Sequence, residues 1–148
     1  MSLTFRRGDV FSSIGNFPVV IPHICNTAGV WGGGFTRSVS NRWHEPEFSY
    51  RSMVFRPLGN IQIVQVEENT WIVNIIGQVF HWRRGPPIRY RALEFALNNL
   101  VDFVLEIGGT VHMPRIGCGL AGGNWHRIQD IITATLINNG IHVYVYSL

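Results

Sequence analysis

The sequence contains no lysine, and all twelve of its basic residues are arginine. This absence excludes any mechanism that needs a lysine nucleophile or a Schiff base. Arginine suits phosphate recognition, because its planar guanidinium binds oxyanions through two parallel hydrogen bonds. The arginines are nevertheless spread along the chain, and no RNA-binding signature is present, so nucleic acid is not the expected partner.

Long hydrophobic runs are absent as well. No stretch reaches about 18 uninterrupted apolar residues, the length that a membrane-spanning helix needs. Residues 1–7 contain no apolar core of a signal peptide. We therefore expect a cytoplasmic monomer with no membrane partner. The length of 148 residues predicts one domain over residues 1–148.

Cysteine and aspartate are scarce. Cys25 and Cys118 are the two cysteines, and without a secretion signal we expect both to be free thiols. Aspartate occurs only as Asp9, Asp102 and Asp130, of which the last two fall within predicted helices and are expected at the surface. The histidines lack metal-ligand spacing such as His-x-x-x-His, so the sequence predicts no metal and no cofactor.

Two glycine-rich loops stand out, each between a strand-like run and a helix-like run. The first glycine loop (residues 26–34) reads NTAGVWGGG, and the second glycine loop (residues 114–123) reads PRIGCGLAGG. Neither is a Walker A loop or the Gly-x-Gly-x-x-Gly dinucleotide fingerprint. Glycine lets backbone N–H groups turn toward an anion, and a helix N-terminus adds partial positive charge. The pair predicts a ligand with several phosphates, or a phosphate and a sugar, held between the loops.

Hydrophobic periodicity predicts an alternating fold. Strands are expected at residues 3–6, 19–25, 61–67, 71–76, 111–113 and 141–146, and helices at 35–43, 47–55, 88–107 and 125–139. Residues 61–67 and 71–76 are expected to form a hairpin, and Pro22 predicts an edge strand or a bulge. This order favours an α/β fold, a three-layer α/β/α sandwich with a mixed central sheet. Ligands of such sheets bind beyond the carboxyl ends of the strands, where both glycine loops lie.

Two histidines are candidates for acid–base chemistry. His23 lies in an apolar strand three residues before Asn26, so it is either a structural histidine or a catalytic one. His81 lies in the predicted loop 77–87, which also contains Gln78, Arg83 and Arg84. It is either a surface histidine or a second catalytic residue.

Other polar and aromatic residues near the loops allow two interpretations each. Asp9 follows a glycine, where it either caps a turn or hydrogen-bonds a base or ribose. Cys118 lies between glycines and is a candidate nucleophile, although no obvious base is paired with it. Trp31 and Phe80 either stack on a ligand ring or pack within the protein.

In these segments the chain resembles a macrodomain, the ADP-ribose-binding α/β/α fold. The resemblance rests on Gly8-Asp9-Val10, the two glycine loops and the ending VYVYSL at residues 143–148, and it covers essentially the whole chain. Residues 23–26 (HICN) and 31–34 (WGGG) are similar to yeast-type ADP-ribose 1''-phosphate phosphatases. Residues 113–120 (MPRIGCGL) resemble the terminal ADP-ribose protein glycohydrolases.

The chain departs from both subgroups at their catalytic positions. The glycohydrolase subgroup uses a lysine and an aspartate, whereas this chain has no lysine and has Ala121 at the aspartate position. The phosphatase subgroup has an acidic residue after its central strands, whereas residues 77–87 contain no acid. The phosphatase-like histidine and asparagine are present as His23 and Asn26.

The resemblance implies hydrolysis of ADP-ribose 1''-phosphate to ADP-ribose and phosphate. The alternatives are removal of ADP-ribose from modified side chains and non-catalytic reading of ADP-ribose, so the expected partners are ADP-ribose derivatives and ADP-ribosylated proteins. Asp9 would contact adenine, the second glycine loop the diphosphate and the first the distal ribose, with His23, Asn26 and His81 as catalytic residues. The expected ligand-binding residues are Asp9, Val10, Gly32, Gly33, Gly34, Arg115, Ile116, Gly117, Cys118, Gly119, Leu120, Ala121 and Gly122.

Overall fold

One mixed sheet organises the chain. The computed structural model describes residues 2–81, 85–119 and 121–148. Its six strands are β1 (Leu3–Arg7), β2 (Val19–Asn26), β3 (Ile61–Glu67), β4 (Thr70–Gln78), β5 (Thr110–Pro114) and β6 (Val143–Ser147). They lie in the order β1-β6-β5-β2-β4-β3, and only the edge strand β3 is antiparallel to its neighbour. The predicted mixed sheet and the β3–β4 hairpin are confirmed.

Helices cover both faces of the sheet. They are α1 (Phe35–Arg42), α2 (Glu45–Arg51), α3 (Tyr90–Ile107) and α4 (Trp125–Thr135), with short 3₁₀ helices at Val10–Ser13 and Ile137–Asn139. Helix α3 buries Leu93, Leu97, Leu100 and Val104 completely, because these residues recur at helical spacing. Helices α3 and α4 pack on one face, and α1 lies on the other. The predicted three-layer sandwich is therefore confirmed.

Strand β2 sorts its side chains between the two layers. Val20 belongs to the core under α3 and α4, whereas Val19 and Ile21 belong to the core on the opposite face. Because side chains alternate along a strand, His23 and Cys25 lie on the face of Ile21. Both therefore project toward the layer formed by α1 and α2.

The expectation of an edge strand at Pro22 is wrong, since β2 lies inside the sheet between β5 and β4. Its pairing with β4 continues along the whole strand, with an irregularity between Cys25 and Asn26. Its pairing with β5 involves only Val19 and Val20. Proline, which has no N–H for a ladder, is accommodated because β2 and β5 have parted by that point.

Several boundaries differ from the predictions. The second helix spans Glu45–Arg51 rather than residues 47–55, with Pro46 in its first turn. Strand β4 includes Gly77 and Gln78, so the predicted loop 77–87 begins too early. The last predicted helix ends at Thr135 and is followed by the second 3₁₀ helix. Arg83 and Arg84 lie outside the described residues.

Among the helices of the described residues, none is both long and apolar enough to span a membrane.

Candidate functional site

A cleft of about 300 Å³ opens at the carboxyl ends of β2, β4 and β5. It lies where β2 and β5 diverge, and residues of both glycine loops line it. The predicted site residues that line it are His23, Asn26, Gly32, Gly33, Gly34, Arg115, Ile116, Gly117, Gly119 and Ala121. Residues that line it without having been predicted include Val30, Thr36 and Gln78. The two loops are therefore brought together as expected.

Five of the predicted residues that the structure describes do not line this cleft. Asp9 is exposed and caps the first 3₁₀ helix, its Oδ1 accepting a hydrogen bond from the Phe11 N–H at 2.9 Å. Val10 is buried in the core. Asp9 directly follows the carboxyl end of β1. Because β1 runs parallel to β6, β5 and β2, this end lies on the same side of the sheet as the cleft.

The other three lie on the loops around the cleft. His81 is exposed, and its ring packs against Phe80 with centroids 4.9 Å apart. Cys118 is half-buried, and burial raises the pKa of its thiol, which keeps it protonated and a weak nucleophile. Gly122 donates its N–H to the Gly119 carbonyl at 3.0 Å and so closes a turn. Leu120 lies outside the described residues.

His23 is almost completely buried at 2% exposure, at the base of the cleft. Its Nε2 lies 2.6 Å from Asn74 Oδ1 on the neighbouring strand. The Asn74 amide nitrogen donates to the Pro46 carbonyl at 2.9 Å, which identifies the atom facing His23 as the oxygen. His23 therefore carries its proton on Nε2 and donates it to Asn74.

The environment of His23 keeps the imidazole neutral. Burial lowers its pKa to about 4, although the hydrogen bond to Asn74 acts in the opposite direction. The rings of Trp31 and Phe35 pack edge-on against it, at centroid distances of 5.4 and 5.8 Å. Its Nδ1 is buried and has no hydrogen-bond partner among the described residues. At neutral pH the imidazole is therefore uncharged, and Nδ1 is a hydrogen-bond acceptor and a weak base.

Asn26 uses most of its side chain to shape the first glycine loop. Its Oδ1 accepts the Ala28 N–H at 2.9 Å and the Val30 N–H at 3.3 Å, and its Nδ2 donates to the Val30 carbonyl at 2.8 Å. An amide nitrogen carries two hydrogens. One Nδ2 hydrogen therefore remains without a partner among the described residues, in a side chain that lines the cleft.

Backbone N–H groups are the main polar groups that the two loops offer. Those of Gly32, Gly33 and Gly34 donate to no described residue, and neither do those of Gly117 and Gly119. Helix α1 begins directly after the first loop and α4 directly after the second. Unpaired N–H groups beside helix N-termini attract anions. The cleft is thus built to accept negatively charged oxygens from two sides.

Side-chain charge in the cleft is sparse. No aspartate or glutamate occurs among its described lining residues, and Arg115 is the cation there. Arg115 lies between the rings of Phe5 and Trp125, 5.8 and 5.6 Å from their centroids. Both cysteines are free, and burial keeps the Cys25 pKa far above neutrality. Within the described ranges, no three histidine, cysteine or acidic side chains cluster as metal ligands would.

Comparison with solved structures places this geometry in a family. The chain is 41% identical to a protein of unknown function from Bacteroides thetaiotaomicron, with a TM-score of 0.94 over 100% of this chain and 99% of that one. It is also similar to a macrodomain protein from Streptomyces coelicolor, at 39% identity and a TM-score of 0.85 over 99% of both chains.

Among curated proteins the likeness is weaker. An ADP-ribose 1''-phosphate phosphatase from Chaetomium globosum is 28% identical over 95% of this chain and 87% of its own length. The first curated relatives that it matches are the chromodomain-helicase-DNA-binding protein 1-like proteins of Mus musculus and Danio rerio. The chain spans less than a fifth of their length, 18% of the first and 14% of the second. No family model matches. Because its likeness to the Streptomyces protein extends over both whole chains at 39% identity, the chain belongs to the macrodomain family.

Proposed function

We propose that this macrodomain binds the ADP-ribose group and hydrolyses ADP-ribose 1''-phosphate to ADP-ribose and phosphate. The observation that carries the proposal is that two glycine loops with unpaired N–H groups line one cleft. Such a cleft suits an elongated ligand with phosphates flanked by sugars. The Chaetomium globosum relative, which is named ADP-ribose 1''-phosphate phosphatase, supports the choice of substrate, since this chain spans 87% of its length.

The proposed ligand runs along the carboxyl edge of the sheet. The diphosphate lies against the N–H groups of Gly117 and Gly119, with Arg115 contributing positive charge at that end. Adenine lies toward Asp9, whose exposed carboxylate has an oxygen beyond the one used as a cap. The distal ribose lies between Asn26 and residues 32–34, where the free Nδ2 hydrogen of Asn26 can donate to a hydroxyl.

In the proposed reaction, water attacks phosphorus while the bond from phosphorus to the C1'' oxygen breaks. The N–H groups of Gly32, Gly33 and Gly34 stabilise the negative charge on the phosphoryl oxygens. Stabilisation of this kind, together with positioning, is the main contribution of proteins to phosphoryl transfer. A proton from the attacking water is transferred to His23, which lines the cleft and whose Nδ1 has no hydrogen-bond partner among the described residues. The leaving oxygen takes a proton from solvent.

A non-catalytic ADP-ribose reader is the second candidate, and one observation favours it. No carboxylate lines the described part of the cleft, so a conventional general base is absent. Removal of ADP-ribose from a modified side chain needs the same binding mode, with the substrate's own phosphate orienting the water. All three functions bind the ADP-ribose group. The two enzymatic functions differ in the bond that they cleave, and the reader cleaves none.

Phosphate release from ADP-ribose 1''-phosphate tests the enzymatic proposal. We expect the wild-type protein to release phosphate and His23→Ala to lose about 100-fold in kcat, the usual contribution of a general base. Calorimetry with the product ADP-ribose is the control, and the variant should bind it nearly as well as the wild type.

Tight ADP-ribose binding without phosphate release would establish the reader. Release of ADP-ribose from an automodified protein would instead indicate the side-chain hydrolase, and failure to bind ADP-ribose would overturn all three.

A further inference from the structure

Tyr50 reaches the first glycine loop from α2, outside the cleft. Its side chain is completely buried. The hydroxyl lies 2.6 Å from the Asn26 main-chain oxygen and 2.8 Å from Asn26 Oδ1. A tyrosine hydroxyl has one proton, so it is shared between these two acceptors of one residue. Tyr50 therefore fixes both the backbone and the side-chain amide of Asn26.

Tyr50 is itself held in place by its surroundings. The Arg56 guanidinium lies over its ring at 5.0 Å from the centroid, while Arg56 Nε donates to the Tyr50 carbonyl at 3.2 Å. The ring of Trp31 packs against the ring of Tyr50 at a centroid distance of 5.6 Å. Arg56 also packs against Gly29 so closely that a Cβ there would lie 2.8 Å from the guanidinium. The tyrosine is a fixed support for the loop.

We propose that Tyr50 is a positioning residue for the distal end of the ligand. With Oδ1 held toward Tyr50 and the Ala28 N–H, the Asn26 amide has a single orientation, and its free Nδ2 hydrogen has a fixed direction. This inference rests on the proposed function, in which that hydrogen is donated to a hydroxyl of the distal ribose. Tyr50 does not line the cleft, so it acts on the ligand through Asn26.

Tyr50→Phe tests the inference when ADP-ribose is compared with ADP, which lacks the distal ribose. The phenyl ring keeps its contacts with Trp31 and Arg56, so the variant should fold. We expect ADP-ribose affinity to fall about 5-fold, the effect of one hydrogen bond, and ADP affinity to change less than 2-fold. A purely structural role would weaken both ligands equally, and that result would overturn the inference.

The control is Tyr146→Phe, which removes another buried hydroxyl, at 2.8 Å from His112 Nδ1 on β5. It should leave the ratio of ADP-ribose to ADP affinity unchanged.

The side-chain amide signals of Asn26 in the free protein give an independent measurement by NMR. Their chemical shifts should change in Tyr50→Phe, because Asn26 Oδ1 loses the hydroxyl donor at 2.8 Å. Unchanged signals would overturn the inference, whereas a wild type that binds neither nucleotide would overturn only the proposed function.

Discussion

Replacing Gly123 with alanine is expected to destabilise the second glycine loop and to abolish measurable ADP-ribose binding. A Cβ at this position would lie 2.4 Å from the Gly117 carbonyl oxygen and 2.8 Å from Ile128 Cδ1. The Gly123 N–H also donates to that carbonyl at 2.7 Å, the bond that closes the loop. The backbone must therefore move, at a cost of about 3 kcal/mol, as in other overpacked sites. We expect a loss of about 6–10 °C in Tm, measured by calorimetry, and an affinity loss of more than about 100-fold.

Two other glycines provide matched controls. A Cβ at Gly119 or at Gly15 would meet no atom within 4 Å, so both alanine variants should keep the wild-type Tm. Gly119 lines the cleft, so its alanine variant should still bind ADP-ribose more weakly by about 10-fold. Gly15→Ala should change neither quantity. A Gly123→Ala protein with wild-type Tm and affinity would contradict the geometry of the loop.

The second large effect expected is a loss of stability as the pH falls from 7.5 to 5. His23 is buried, and desolvation lowers its pKa from 6.5 to about 4. His112 has its pKa lowered to about 4 by burial and, in addition, by the charges of Arg6 and His142. Both histidines are neutral in the folded protein, whereas the unfolded chain takes up protons below pH 6.5. Acid therefore favours unfolding, and the loss begins near pH 6.5 and is complete near pH 4.

The expected size of this loss is about 2 kcal/mol for each histidine at pH 5, because the unfolded chain binds about one more proton per residue. Urea unfolding at pH 7.5, 6 and 5 measures the free energy of unfolding. His112→Gln should remove about half of the pH dependence, while Tyr146, its hydrogen-bond partner, keeps a polar group to contact. A free energy of unfolding that is constant between pH 7.5 and 5 would show that neither imidazole is held neutral.

Much of the architecture follows from periodicity, and the errors have identifiable causes. The predicted loop starts at Gly77, and glycine commonly interrupts strands. In the structure it lies within β4, where a Cβ would come 3.2 Å from Ile24 Cγ2, so the glycine serves close packing. The start of α2 was missed because His44 provides no side-chain cap, although Pro46 in the first turn is a common helix start.

The candidate site was predictable only where its residues are local in sequence. Each glycine loop is a contiguous run between a strand and a helix, so the sequence pattern alone predicts its place at a strand end. The partner of His23 is Asn74, which reaches it through the register of β2 on β4. The partner of Asn26 is Tyr50, 24 residues away on a helix without any motif. Such pairs depend on tertiary packing, which a single sequence does not encode as a pattern.

The parting of β2 and β5 bears on how quickly a ligand can enter. The ladder between these strands stops at Val20, and Pro22 removes a donor that would be needed to extend it. The gap therefore follows from the sequence of β2 itself, and the part of the cleft that the structure describes is already open. A site that exists before its ligand arrives pays no opening cost, so association should proceed in one step, at a rate proportional to ligand concentration.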